Sequence, residues 1–231
     1  MAQKIVDFAI QLSVILFAIS FHESAHAYAA LRFGDTTARD LGRISLNPIR
    51  HIDPFGSVLL PIMLYFLSNG RFIFGAAKPT PVDLRNTKDP RVANLVVSAA
   101  GPLSNFFLAT VGIVLLRVIG GADGGALPQL AEALQGHRFA AGALAPITYV
   151  LFRFVMVNIS LGVFNLIPIP PLDGSGVVVS VFGPPVAKLY ATIAPFGFLI
   201  LILLISTPFL GWIFAPFANA AINLIFGGLR G

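Results

Sequence analysis

The chain has 231 residues, of which 56% are hydrophobic and only 11% charged. Soluble domains carry about 25% charged residues, so a water-facing surface is excluded, in keeping with a mean hydropathy of +0.86. The net charge of +5 does not imply a nucleic-acid partner, because the basic residues sit in loops between apolar runs, and the absence of cysteine excludes disulfides and thiolate metal sites.

The bilayer is therefore the natural solvent. The expected fold class is an all-α polytopic membrane protein of about five or six transmembrane segments, with a small membrane-associated β element or re-entrant region. A single domain over residues 1–231 is expected, since no stretch is long and polar enough to form a separate soluble module.

In chain order, residues 5–31 read as a first helix of about 40 Å, too long for a cleavable signal. Residues 32–54 are polar, with Arg32, Arg39, Arg43 and Arg50 and a strand-like GRISLNP near 42–48. The apolar piece at 55–68 contains Pro61 and is thin for a full span, so it is expected to re-enter rather than cross. Residues 69–91 are basic again and contain the proline-stiffened KPTPV at 78–82. A long span follows at 92–119, then a Gly-rich connection at 120–145 and another span at 146–168 that stops at the prolines of IPIPPLDG. Residues 186–206 and 208–226 read as a closing helical hairpin broken at Pro208.

Nine of the 15 basic residues lie between positions 32 and 91. Cytoplasmic loops carry the excess of Lys and Arg, so this region is expected inside and the N-terminus outside. Both the 22–26 region and Asp173 then fall in the inner half.

His22-Glu23-x-x-His26 lies within the first apolar run. Positions i and i+4 share one helix face, so two imidazoles there can hold one metal ion, with the glutamate beside them to take a proton from a metal-bound water. Zinc suits this donor set because it accepts nitrogen and oxygen ligands and keeps a fourth position for water. An intramembrane glutamate costs at least about 2.5 kcal/mol to insert, which argues for function over accident. The second motif, NLIPIPPLDG at 165–174, puts irregular backbone at membrane depth and a carboxylate, Asp173, in the same half as the histidines. A His22–His26–Asp173 zinc site follows; the alternative role for Asp173, capping a helix over 175–183, does not exclude ligation.

Together these motifs resemble the site-2 protease family of intramembrane zinc metalloproteases. The resemblance also rests on GRISLNPIRHIDPFG at 42–56, AAKPTPV at 76–82 and AAGPLSN at 99–105. It implies zinc ligation by His22, His26 and Asp173, water activation by Glu23, and regulated intramembrane proteolysis of transmembrane protein substrates in a multi-pass protein of a prokaryotic cell membrane. It also implies a minimal member, without an inserted periplasmic module in 120–145 or a nucleotide-sensing module at the end. Asn165 is a candidate oxyanion or substrate-backbone donor, or else a helix-terminus hydrogen-bonder. Gly101 and Asn105 read as packing near the site, His51 as structural, and Arg117 and Arg153 as snorkelling to the outer surface. A metal-ion transporter using the same His and Asp residues as a transit site is the rival reading, disfavoured by the lack of internal repeats. For substrate unwinding, GRISLN at 42–47 and RFIFGA at 71–76 are the candidate strand edges.

Overall fold

A computed structural model describes residues 2–67, 75, 77–122, 127, 128, 130, 134 and 145–227. Among the described residues, eight helices of eight residues or more order the chain: α1 (Ala2–Arg32), α2 (Leu60–Leu67), α3 (Pro90–Ala122), α4 (Ala145–Asn165), α5 (Asp173–Phe182), α6 (Pro184–Ile193), α7 (Gly197–Ile205) and α8 (Phe209–Phe226), with shorter helical turns between some of them. Five stretches among the described residues are long and apolar enough to cross a membrane: Ile5–Arg32, Pro90–Gly120, Pro146–Asn165, Pro184–Ile205 and Phe209–Phe226. The fourth joins α6 and α7 through a 3-10 turn at Ala194–Phe196.

α1, α3 and α4 pack on one another, and α5 lies against α3. One core unites Ala109 and Leu116 of α3, Phe152, Val155 and Ile159 of α4, and Ala221 and Ile225 of α8. A second gathers Phe164, Ile167, Leu172, Leu201 and Leu210 around the end of α4, so Ile167, Pro170 and Leu172 of the proline-rich turn are buried while Leu166, Pro168 and Pro171 stay exposed. α4 stops at Asn165, three residues short of the expected end. Pro168 restricts the residue before it, and each proline removes a backbone donor.

The strand expected at 42–48 does not form, and no β-strand occurs among the described residues. Gly42 takes a left-handed φ of 67°, and the Asn47 side chain accepts from Ile49 N to start a 3-10 turn at Pro48–Arg50. These local turn preferences override the alternating pattern. The other candidate edge, 71–76, lies outside the described residues apart from Gly75.

The 42–51 loop instead folds back along α1. Ser24 Oγ donates to the Ser45 carbonyl at 2.6 Å and accepts from Ser45 N at 3.2 Å, which brings Ser45 about 12 Å up the helix from Arg32. His51 Nε2 donates to the Ser45 carbonyl and Arg43 Nη1 to the Arg50 carbonyl, so side chains satisfy the loop backbone. Residues 54–67 continue as a π-helical turn and α2. At about 21 Å they are shorter than a hydrocarbon core of about 30 Å.

Arg153 is paired rather than snorkelling. It donates to Tyr149 Oη at 2.9 and 2.7 Å and approaches Asp7 at 3.4 Å, while the Tyr149 hydroxyl also donates to Asp7. The polar link ties the start of α1 to α4.

Candidate metal centre

Helix geometry sets His22 and His26 one turn apart on the face of α1 that meets α3, and both are buried. Their Nε2 atoms lie 3.0 Å apart, and Asp173 Oδ2 reaches them at 3.1 and 3.3 Å. Asp173 enters from the first turn of α5. Leu172 occupies the N-cap position and makes no side-chain cap bond, and the Asp173 carboxylate faces the two histidines.

The outer sides of both rings are held. His26 Nδ1 meets the Val97 carbonyl at 2.7 Å and His22 Nδ1 meets Asn105 Oδ1 at 2.7 Å. Asn105 Nδ2 in turn donates to Asn158 Oδ1 at 2.9 Å, and Asn158 Nδ2 to the Phe154 carbonyl at 2.9 Å. The relay ends on a backbone carbonyl, which can only accept. That orients Asn158, which orients Asn105, which puts the His22 proton on Nδ1. Both Nε2 atoms therefore present lone pairs to the centre.

Two lone pairs and a carboxylate oxygen have no proton to share among them, and Asp173 Oδ2 is buried without a hydrogen-bond partner. A cation at their centre resolves both conflicts. A tetrahedral ion bound at about 2.0–2.1 Å holds its ligands about 3.3 Å apart, close to the triangle observed. The residues fit zinc, and their ring protons are anchored as histidine ligands usually are.

α3 is the frame for the whole arrangement. It supplies Val97 and Asn105, and Gly101 faces the imidazoles so closely that a Cβ there would lie 2.6 Å from two atoms of His22 and nearer still to His26 Nε2. It also grips α5: Asn94 Nδ2 donates to the Gly176 carbonyl at 3.1 Å and Ser180 Oγ at 2.7 Å, and Arg91 caps the end of α5 through the Ser180 and Val181 carbonyls. Cations at a helix C-terminus are favourable to its dipole.

Glu23 and Asn165 line the same cavity of about 1100 Å3 as the three donors. Glu23 Oε2 accepts from Thr80 N, and Asn165 Nδ2 donates to the Leu161 carbonyl at 3.0 Å. His51 stands apart, binding the 42–51 loop. Asn158 and Thr80 were not singled out by sequence. Asn158 had a usable signal, being a polar residue inside an apolar span; a backbone N–H such as that of Thr80 has none.

The Peptidase family M50 profile matches residues 10–204. The chain is 37% identical over 218 residues to "Putative zinc metalloprotease YwhC" of Bacillus subtilis, covering 92% of this chain and 88% of that protein. It is 30% identical over 200 residues to "Putative zinc metalloprotease Rip2" of Mycolicibacterium smegmatis, covering 86% and 68%. No solved structure matches. The chain belongs to peptidase family M50, and so to the metalloproteases.

Proposed function

We propose that this chain is a zinc-dependent intramembrane protease that cleaves transmembrane segments of other proteins, releasing fragments by regulated intramembrane proteolysis. One observation carries the reading: His22, His26 and Asp173 bring three ligand atoms within 3.0–3.3 Å of one another in a membrane-spanning fold. In it, His22, His26 and Asp173 hold zinc, Glu23 is the general base and Asn165 the oxyanion donor. When bound, zinc polarises a carbonyl and lowers the pKa of water to about 7. Glu23 takes the proton of the attacking water and delivers it to the leaving nitrogen. The Asn165 amide has a second N–H beyond the one given to Leu161, available to a developing oxyanion.

His22 lies about 15 Å of helix before Arg32, so the scissile bond is met below the membrane surface. The run of basic residues between 32 and 91 supports a site nearer the cytoplasmic face of a prokaryotic cell membrane. The whole chain acts as one membrane-embedded domain, with lipid as its solvent.

The test uses purified protein and a single-span protein substrate. Glu23→Gln is expected to keep one zinc per chain and lose cleavage by about 1,000-fold or more, whereas Asp173→Asn loses zinc as well. Cleavage persisting in Glu23→Gln, or full zinc occupancy and activity in Asp173→Asn, overturns the assignment.

A further inference from the structure

Among the described residues, Thr80 alone holds Glu23 from outside its own helix. Thr80 donates its backbone N–H to Glu23 Oε2 at 2.8 Å and its hydroxyl to the Glu23 carbonyl at 3.1 Å. Thr80 stands between Pro79 and Pro81, which have no N–H and fixed φ. Lys78 N–H is engaged by the His51 carbonyl at 2.9 Å. Residues 78–81 thus own two backbone donors, and both are engaged: one by the 42–51 loop, one by Glu23. A few residues on, Asp83 N donates to Asp35 Oδ2 at 2.7 Å, fastening the segment to the turn after α1. Pro79 and Thr80 also line the cavity that holds Glu23 and the three donors.

We infer that Thr80 is a positioning residue for Glu23, and that the strap of residues 78–83 aims its carboxylate. The inference rests on Glu23 being the general base. A glutamate has three side-chain torsions, and α1 alone fixes none of the outer ones. The Thr80 N–H pins Oε2 and leaves Oε1 to receive a proton. The Thr80 hydroxyl ties the strap to the backbone of the same residue, so strap and carboxylate keep one register. The two prolines keep the donor in place without using further hydrogen bonds. Because Lys78 and Thr80 have no spare N–H, this stretch does not offer itself as a donor strand to substrate. Its effect is therefore on turnover and not on binding.

The experiment measures kcat and KM of purified full-length variants on a quenched single-span peptide, with zinc content determined in parallel. Thr80→Pro removes both contacts, and kcat is expected to fall at least about 10-fold while KM stays within about twofold and one zinc is retained. Thr80→Val removes only the hydroxyl and should lower kcat by a smaller factor, which Thr80→Ser restores. An ester in place of the Thr80 amide removes only the N–H and decides the matter if Thr80→Pro does not hold zinc. In the ester protein a kcat within about twofold of wild type, or a change confined to KM, overturns the inference. Glu23→Gln is assayed beside them: cleavage persisting there refutes the general-base reading itself, whereas a silent Glu23→Gln with an active ester protein refutes only the role of Thr80.

Discussion

The three spans that carry or frame the histidines hide 39%, 39% and 44% of their most apolar stretch within the protein, whereas the last two hide 11% and 17%. The first group is polar inside: Asn105 and Asn158 are almost wholly buried there, and polar contacts among α1, α3 and α4 run through them and the histidines. In the closing hairpin, Ser206 and Thr207 are exposed and bond to carbonyls of their own helix, so they tie it to nothing else. The difference reflects the solvent. Lipid is as apolar as leucine, so spans associate through close packing and interhelical hydrogen bonds rather than through hydrophobicity. The histidine-bearing block has both throughout, whereas the hairpin joins it at fewer points: Ala221 and Ile225 enter the first core, Leu201 and Leu210 the second, and Tyr190 Oη donates to the Pro168 carbonyl at 2.9 Å.

Two glycine substitutions press this comparison hardest. Gly101→Ala drives a methyl group into the imidazoles, whereas Gly211→Ala meets nothing within 4 Å. Gly101→Ala is expected to lose zinc and at least about 100-fold in cleavage, since displacements of about 1 Å at a reacting centre cost that much. Gly211→Ala should leave zinc content unchanged and cleavage within about twofold, alanine being the better helix former. Equal behaviour of the two proteins in metal analysis and cleavage assay would dissolve the distinction.

A smaller contrast is expected between two asparagines. Asn158→Ala breaks the relay that orients His22, and losing such a partner typically weakens metal affinity about 10–100-fold. Asn223→Ala, on the exposed side of α8, is expected to leave it unchanged. Competition with a chromophoric chelator reads both.

The smallest effect belongs to the strap's water-facing end. Hydrogen bonds from the Arg85 side chain and backbone hold the exposed Asp83 carboxyl at about 2, against an ordinary value of 3.8. A depressed carboxylate contributes stability that is present above its unfolded pKa and lost as pH falls through the folded one. The Tm advantage of wild type over Asp83→Asn should thus be constant above pH 4, shrink below it and vanish near pH 2. Exposure keeps it slight.

Much of the site was readable because its chemistry is local. An i, i+4 pair of histidines shares a helix face whatever surrounds it, and prolines stop a helix by removing donors, so the pairing of His22 with His26 and the end of α4 to within three residues followed from neighbours in the chain. Apolar length likewise marked the spans. The strand at 42–48 was misread because alternation is a weak preference there. Gly42, Asn47 and Ser24 supply turn and side-chain partners that a ladder would have had to displace.

What the sequence determined by itself was the cast: a bilayer solvent, a metal-competent helix face and a carboxylate after a proline stop. Tertiary structure decided who meets whom. Asp173 reaches the histidines because α3 grips α5 through Arg91 and Asn94, His22 is oriented by an asparagine pair spanning two helices, and Glu23 is held by a backbone N–H between two prolines. These contacts link residues far apart in the chain, and the requirement behind them is a property of the interior. With little water at hand, each buried polar group must find a partner from whichever element is nearest in space.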